Sequence, residues 1–423
     1  MTDVDVVVVG AGVAGLAAAA ETRRRGRSCA LLEAGGRIGG RAWTVHEPAL
    51  GGVAFDHGAS WLHDADHNPL REIAEAHGDE LIDSSARRIE RTFVAGRPAS
   101  EAELADYSRA EEIFHRELSA RDATGEADIS VAEAVDRLRE IPWITTVETW
   151  ETSIINAADA ADISLLDWQR IGLQGRNMLI RTGLGSFVRD RLGPAAMPVQ
   201  LNTAVRAVRW DGARVVVDTA AGSLSASSCI ITVSTGVLQA GMIRFTPALP
   251  AEVQAAIDGL PMGLLTKIAM RTEGKDRFDL PAFCSLDQQV LVSGGPMMTF
   301  SAWPFGLPTI TGFVGGRTAW ELAAAGPAAS EAFAREQLRS LFGSRADRAF
   351  AGAPAVVTGW ADDKLTCGAY CYARPGDAGA RAELGRNFAG GRLLFAGEAC
   401  HETLAGTVAG AWVSGCRAAR AAA

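Results

Sequence analysis

Val6-Val7-Val8-Val9-Gly10-Ala11-Gly12-Val13-Ala14-Gly15 is the stretch whose reading decides the fold. Four β-branched residues in a row suit a strand buried on both faces of a parallel sheet. The glycines stand at G-x-G-x-x-G spacing, and the alanine-rich residues 16–25 that follow predict a helix. In such a unit Gly10 permits the tight turn, Gly12 lets backbone approach a pyrophosphate, and Gly15 lets helix and strand pack closely. Free N–H groups and the macrodipole at the helix start favour phosphate. Gly26 ends the helix, residues 28–32 read as a second strand, and Glu33 stands at its end. A carboxylate there accepts hydrogen bonds from a ribose 2′-OH and repels a 2′-phosphate, which disfavours NADP.

The chain has 423 residues, enough for two or three domain-sized units. Apolar residues at 48% and charged residues at 22% describe a globular protein. A net charge of −9 argues against nucleic acid as a partner, because phosphate binding needs a basic surface. The seven cysteines, at 29, 229, 284, 367, 371, 400 and 416, contain no CxxC pair. Neither a metal site nor a disulfide framework is expected, and free thiols suit a reducing compartment. No secretory signal and no bilayer-length apolar run is visible, so a soluble cytoplasmic protein without a membrane partner is expected.

Strand signals recur at Val205–Arg209, 214–218, 228–233, 264–270 and 392–396, with an Ala/Gly-rich helix from about Thr407. Residues 70–180 read as mostly helical. The expected fold is therefore α/β, with a discontinuous Rossmann-like cofactor domain of residues 1–70, 183–265 and 355–423. A second, α+β substrate domain of residues 71–182 and 266–354 is inserted in two pieces.

A second glycine-arginine loop, Gly35-Gly36-Arg37-Ile38-Gly39-Gly40-Arg41, can bring backbone and guanidinium onto the same pyrophosphate. Here the sequence resembles the flavin-dependent amine oxidase family, which includes monoamine oxidases, polyamine oxidases and lysine-specific histone demethylases. Glu33, Arg37, Gly39, Gly40 and Arg41 match its segment, while Gly35 replaces a usual arginine. Four further blocks extend the resemblance over nearly the whole chain. They are Asp56 to His63, Thr232 to Leu238 with Phe245 and Pro247, Trp360 to Tyr370, and Leu394 to Glu398 with Gly406 to Trp412. The resemblance implies an FAD-binding fold of the glutathione-reductase type. It places Gly58 and Ala59 beside the flavin, Val205 backbone on the adenine, Gly397 and Glu398 on the ribityl-pyrophosphate, and Val408 near the flavin ring.

Lys267 shares a strand face with Leu265 and Ala269, an apolar setting that lowers an amine's pKa. Read from residues alone it is more readily an edge-strand or snorkelling lysine. The resemblance implies the family lysine that holds a water against flavin N5 and assists reoxidation by O2. Tyr370 and Tyr372 are expected on one strand face by period two. The resemblance makes Tyr370 one wall of an aromatic cage, and the opposite wall falls on Thr407, which has no ring. Trp61, His63, Asp64 and Trp360 are expected to line the substrate pocket. His63, Asp64 and Asp66 could bind the far ammonium of a diamine. Ala369 stands where some monoamine oxidases carry the cysteine that bonds to FAD, so noncovalent FAD is expected.

The reading is an FAD-dependent oxidase of a small-molecule amine or polyamine, with hydride passing to flavin N5 and O2 giving hydrogen peroxide. Rivals are another FAD oxidoreductase of the same fold, such as an L-amino-acid oxidase, a desaturase or a tailoring enzyme, and a noncatalytic FAD-bound interaction protein. An amino-acid oxidase needs an arginine facing the substrate carboxylate. No tower insertion or chromatin-binding domain is visible, which disfavours histone demethylation. A homodimer is left open.

Overall fold

The computed structural model describes residues 2–122, 127–352 and 354–423. Residues 1, 123–126 and 353, which the two-domain expectation includes, lie outside the described residues. The valine run lies inside a nine-stranded sheet, where Thr2–Val9 pairs in parallel with Cys29–Leu32 on one side and Gly222–Ile231 on the other. Val6 and Val8 enter one hydrophobic core, and Val7 and Val9 enter another across the sheet. With both faces covered, alternation has no polar side to serve, which is why the run is continuous.

The Gly222–Ile231 strand begins well before the expected 228–233. Its start pairs antiparallel with Val215–Thr219, and its last three residues pair in parallel with Leu393–Phe395. The early half reads Gly-Ser-Leu-Ser-Ala-Ser, of weak strand propensity, so its pairing partners decide its state. Val205–Arg209 and Arg244–Thr246 continue the sheet. The first, middle and last parts of the chain thus meet in one layer.

The glycine-loop helix spans Val13–Arg24 and is capped at Gly12, so Gly15 lies within its first turn. Val408–Ala421 packs along it so closely that a Cβ on Gly415 would fall 2.2 Å from the Ala14 carbonyl oxygen.

A seven-stranded sheet runs in the order Val356–Val357, Leu265–Arg271, Thr309–Gly315, Thr299–Ala302, Cys284–Gln288, Ile89–Val94, Arg97–Pro98. Leu265–Arg271 is an interior strand, so Lys267 is not an edge residue. Helices Glu101–Asp122, Val131–Val135, Ile144–Thr149 and Leu165–Arg170 gather around Phe114, Trp143 and Trp168. The mostly helical reading of 70–180 misses Ile89–Val94, whose outer half is exposed and charged and so hides its strand pattern. Among the described residues no helix is long and apolar enough to cross a membrane.

Tyr370 and Tyr372 flank Cys371, which makes an isolated antiparallel bridge to Met262 and sends its N–H to the Glu398 carboxylate at 3.2 Å. Tyr370 lines a cavity, whereas Tyr372 packs on the helical cluster.

Candidate active site

A cavity of about 1340 Å³ extends from the carboxyl ends of the first two strands, past Lys267, to the helices around Trp150 and Trp168. At its first end Gly10 has φ +99°, and a Cβ on Gly15 would lie 1.8 Å from the Gly10 carbonyl oxygen. The two Glu33 carboxylate oxygens accept the Ala11 N–H at 2.6 Å and the Gly35 N–H at 2.7 Å. Glu33 therefore ties the two glycine loops together, and two of its lone-pair sites remain for hydroxyl donors. The loops also touch directly, through a bridge between Gly12 and Gly39. Arg37 stacks on the Trp43 ring at 4.4 Å and donates to the Gly40 carbonyl at 2.7 Å.

The chain's far end closes this site. Arg41 donates to Glu398 at 2.9 Å and to the Ala369 carbonyl at 2.8 Å. Glu398 also accepts from the Cys371 and Gly406 N–H groups. Burial works to raise the Glu398 pKa, but Arg41 and Arg381 outweigh it and hold the carboxyl below its ordinary value. Gly397 is clasped by Ser414, and Val408 opens the last helix on the cavity wall. Val205 lines the wall beside the Glu33 loop, where the Thr203 N–H reaches the Glu33 carbonyl at 2.7 Å.

These residues fit a flavin dinucleotide. The helix at Gly12 opens onto the cavity with no side-chain cap, leaving its first N–H groups for an anion. A Cβ on Gly12 would meet Gly40 Cα alone, at 3.9 Å, so the space it would fill belongs to the cavity.

Lys267 is 6% exposed and spends its three N–H bonds on the Asp56 carbonyl at 2.9 Å, the Gly58 carbonyl at 2.5 Å and Ser60 Oγ at 2.6 Å. Burial pushes its pKa down to about 8, against the pull of Asp56. The ammonium lies 5.8 Å from the ring centres of both Trp61 and Phe313, so the apolar neighbourhood is aromatic. The Ala59 N–H donates to the Arg41 carbonyl at 3.1 Å, joining this loop to the dinucleotide end. Trp360 is buried on the same wall and donates from Nε1 to the His57 carbonyl at 2.8 Å.

Tyr370 faces the cavity with its hydroxyl held by the Ile155 carbonyl at 2.8 Å. Thr407 is on the wall too, but its hydroxyl caps the last helix, accepting the Gly410 N–H at 3.0 Å and donating to the Leu404 carbonyl. His63 is on the wall, bonded to Asn177, and burial lowers its pKa. Asp64 is not brought to the cavity lining; its carboxylate meets the exposed His67 at 3.1 Å, and Asp66 is paired with Arg71 and Arg176. The expected acidic rim beside His63 is therefore engaged elsewhere.

Sequence reasoning missed Asp56 as an anchor. Its carboxylate accepts from Thr44 and from the Leu184 and Gly185 N–H groups, and burial raises its pKa. Ser60, Asn177, and the Glu151–His115 pair on the far wall were also missed. Their positions lie in quoted blocks or helical stretches, but no spacing rule marks them.

The profile described as flavin containing amine oxidoreductase matches residues 13–423. Lysine-specific histone demethylase 1 homolog 1 of Oryza sativa subsp. japonica is 28% identical over 97% of this chain and 51% of that protein. The chain thus spans about half the length of such demethylase relatives. Probable polyamine oxidase 4 of Arabidopsis thaliana is 30% identical over 97% of this chain and 85% of that protein. The structure of wild-type putrescine oxidase bound to putrescine superposes with a TM-score of 0.80 at 19% identity, covering 99% of this chain and 98% of that one. That likeness is one of fold. With a match running from the first turn of the dinucleotide helix to the final residue, the chain belongs to the flavin containing amine oxidoreductase family.

Proposed function

We propose that this chain is an FAD-dependent oxidase of small-molecule amines, of polyamine-oxidase type, with O2 as final acceptor. The observation that carries the reading is Lys267, an ammonium fixed by three acceptors inside a cavity that continues to the aromatic wall of Tyr370. A bound flavin would accept hydride from the amine's α-carbon and yield hydrogen peroxide on reoxidation. The glycine-loop helix would receive the pyrophosphate, Glu33 the ribose hydroxyls, and Val205 would border the adenine.

Tyr370 cannot swing freely, because Ile155 anchors its hydroxyl, so it offers a fixed face against which an amine aligns. Thr407 adds no second ring, and alignment rests on the single aromatic wall. Trp61, Phe313 and Trp360 make the surroundings apolar, which favours the neutral amine that can react. Lys267 places positive charge where negative charge develops on oxygen. FAD is held without a covalent bond: Ala369 offers no nucleophile, and burial raises the Cys371 thiol, which is engaged with Glu398 and Arg381.

An anaerobic panel of amines, polyamines and amino acids, scored by flavin bleaching, tests this. Bleaching by amines supports it, and bleaching by amino acids alone favours a second reading. That reading has a specific observation behind it: Arg88 lines the cavity and is the kind of group that clamps a carboxylate.

A further inference from the structure

Lysine is scarce in this chain: positions 267, 275 and 364 hold the three lysines among 41 lysines and arginines. Lys275 and Lys364 are exposed, and Lys267 is the buried one. An arginine keeps its proton in any protein setting, whereas a buried lysine can lose it. The state of Lys267 is therefore set by its neighbours. Its three acceptors, the Asp56 and Gly58 carbonyls and Ser60 Oγ, are all uncharged. Phe313 stands directly across the sheet, and on the other flank Thr358 Oγ1 accepts the Lys267 backbone N–H at 2.9 Å. Neither flank brings a charge. His57, beside Asp56 in the chain, is bonded to Glu47 at 2.7 Å. Burial lowers the His57 pKa, and Lys267 and Arg37 add to that, so it is neutral where Lys267 titrates. The charge that favours the ammonium is the carboxylate of Asp56.

Asp56 thus acts on Lys267 twice, through its carbonyl at 2.9 Å and through the charge on its side chain. In the hairpin of Thr44–Glu47 and Val53–Asp56, Thr44 lies directly opposite Asp56. Thr44 Oγ1 accepts the Ser186 N–H at 2.8 Å and turns its own proton to the acid. The Leu184 and Gly185 N–H groups add bonds at 3.1 and 3.2 Å, and backbone N–H only donates. Three donors make a cradle for a carboxylate rather than for a carboxylic acid. The cradle is tight, since a Cβ on Gly183 would fall 3.0 Å from Asp56 Oδ1 and one on Gly185 2.3 Å from the Thr44 nitrogen. Burial opposes the charge on Asp56, while Lys267 and the three donors support it.

We propose that Asp56 is a positioning residue for the oxygen step: its carbonyl orients the Lys267 ammonium, and its carboxylate is the fixed counter-charge that keeps the proton on Nζ at neutral pH. The step that Lys267 serves rests on the amine-oxidase reading above; the pairing of the two charges does not.

The test reads the proton without turnover. Lysine labelled with 13C at Cε gives one NMR signal for each of the three lysines, and Lys267→Met identifies the buried one. In the oxidised holoenzyme Lys267 is expected to titrate at about 8. In Asp56→Asn the midpoint should lie about one pH unit lower, as for loss of a nearby opposite charge, while Lys275 and Lys364 stay in place. The protonated share of Lys267 at a pH of about 7.5 then falls about threefold, and the pH at which reoxidation by O2 declines should move down with the signal. A Lys267 midpoint unchanged in Asp56→Asn overturns the proposal. A midpoint that moves while the reoxidation profile stays put overturns the assignment to the oxygen step. If the amide, turned toward the Leu184 N–H, keeps Asp56→Asn from folding, Asp56→Ser is read in the same way. Should neither fold, the wild-type titration decides: a midpoint at about 8 or above supports the counter-charge, and one below about 7 overturns it. If no amine bleaches the flavin, the amine-oxidase reading has failed, and the NMR comparison still supports or overturns the pairing.

Discussion

Lys267 and Ser60 are joined at the cavity wall, with the ammonium 2.6 Å from the serine hydroxyl. The other two N–H bonds reach the backbone carbonyls of Asp56 and Gly58. Ser60 is thus the one side chain among the three acceptors, and it alone can turn aside without moving backbone. An N–H offered to a water or to oxygen comes from this bond first.

Replacing Lys267 with Met keeps much of the side chain's bulk and removes the charge. In stopped-flow experiments Lys267→Met is expected to be reduced by amine at close to the wild-type rate. Its reoxidation by O2 should slow by about tenfold or more, as for loss of a preorganised charge. Unchanged reoxidation removes Lys267 from the oxygen step.

The pH dependence follows from the same burial. Lys267 titrates at about 8 in the folded chain, so the ammonium form prevails below that pH and the neutral amine above it. Reoxidation should fall as pH rises through about 8, and Lys267→Met should lack that step. Reoxidation measured from pH 6.5 to 9.5 at constant ionic strength checks the sign, and a rate that climbs through this range contradicts it.

Two glycines of the first loop predict opposite outcomes. Gly15→Ala drives a methyl into the Gly10 carbonyl, at 1.8 Å, and should prevent folding. Gly12→Ala meets nothing of the protein nearer than 3.9 Å and sits at φ −69°, which alanine accepts. The variant should unfold within about 0.5 kcal/mol of the flavin-free wild type yet purify without flavin, since its methyl occupies the pyrophosphate approach. Absorbance near 450 nm and denaturant unfolding of the two apo-proteins measure both.

The buried pair Arg381–Asp167 holds the Tyr370 segment from behind. Arg381 donates to Asp167 at 2.7 and 2.9 Å and also to the Cys371 carbonyl, one residue after Tyr370. Asp167→Asn removes the carboxylate bonded to a guanidinium at 1% exposure, leaves Glu398 as the remaining counter-charge, and should destabilise the chain by about 3 kcal/mol in denaturant unfolding. A loss below about 1 kcal/mol means the pair is not a structural support.

The dinucleotide end was legible because its chemistry is local. The valine run, the glycine spacing and Glu33 lie within 28 residues, and each is dictated by backbone geometry or burial that leaves a mark in sequence. Glu398 was reached only through resemblance, because its partners Arg41 and Gly406 are brought together by the sheet. The substrate end was read less well. Asp64 follows His63 in sequence, yet its turn, with φ 45°, pairs it with His67. Glu151 has no motif around it, and its place on the wall comes from a π-turn that side-chain periodicity does not announce. Thr407 stands at the cage position by resemblance, yet its hydrogen bonds are those of a helix cap.

The most direct test of the central claim is the oxygen balance of a single turnover. The purified holoenzyme is reduced anaerobically with one equivalent of 1,4-diaminobutane, then mixed with air-saturated buffer while flavin absorbance and hydrogen peroxide are measured together. An amine oxidase built on this site gives full bleaching, prompt recovery of the oxidised spectrum and one peroxide per flavin. Bleaching that O2 does not reverse, or recovery without peroxide, contradicts the account.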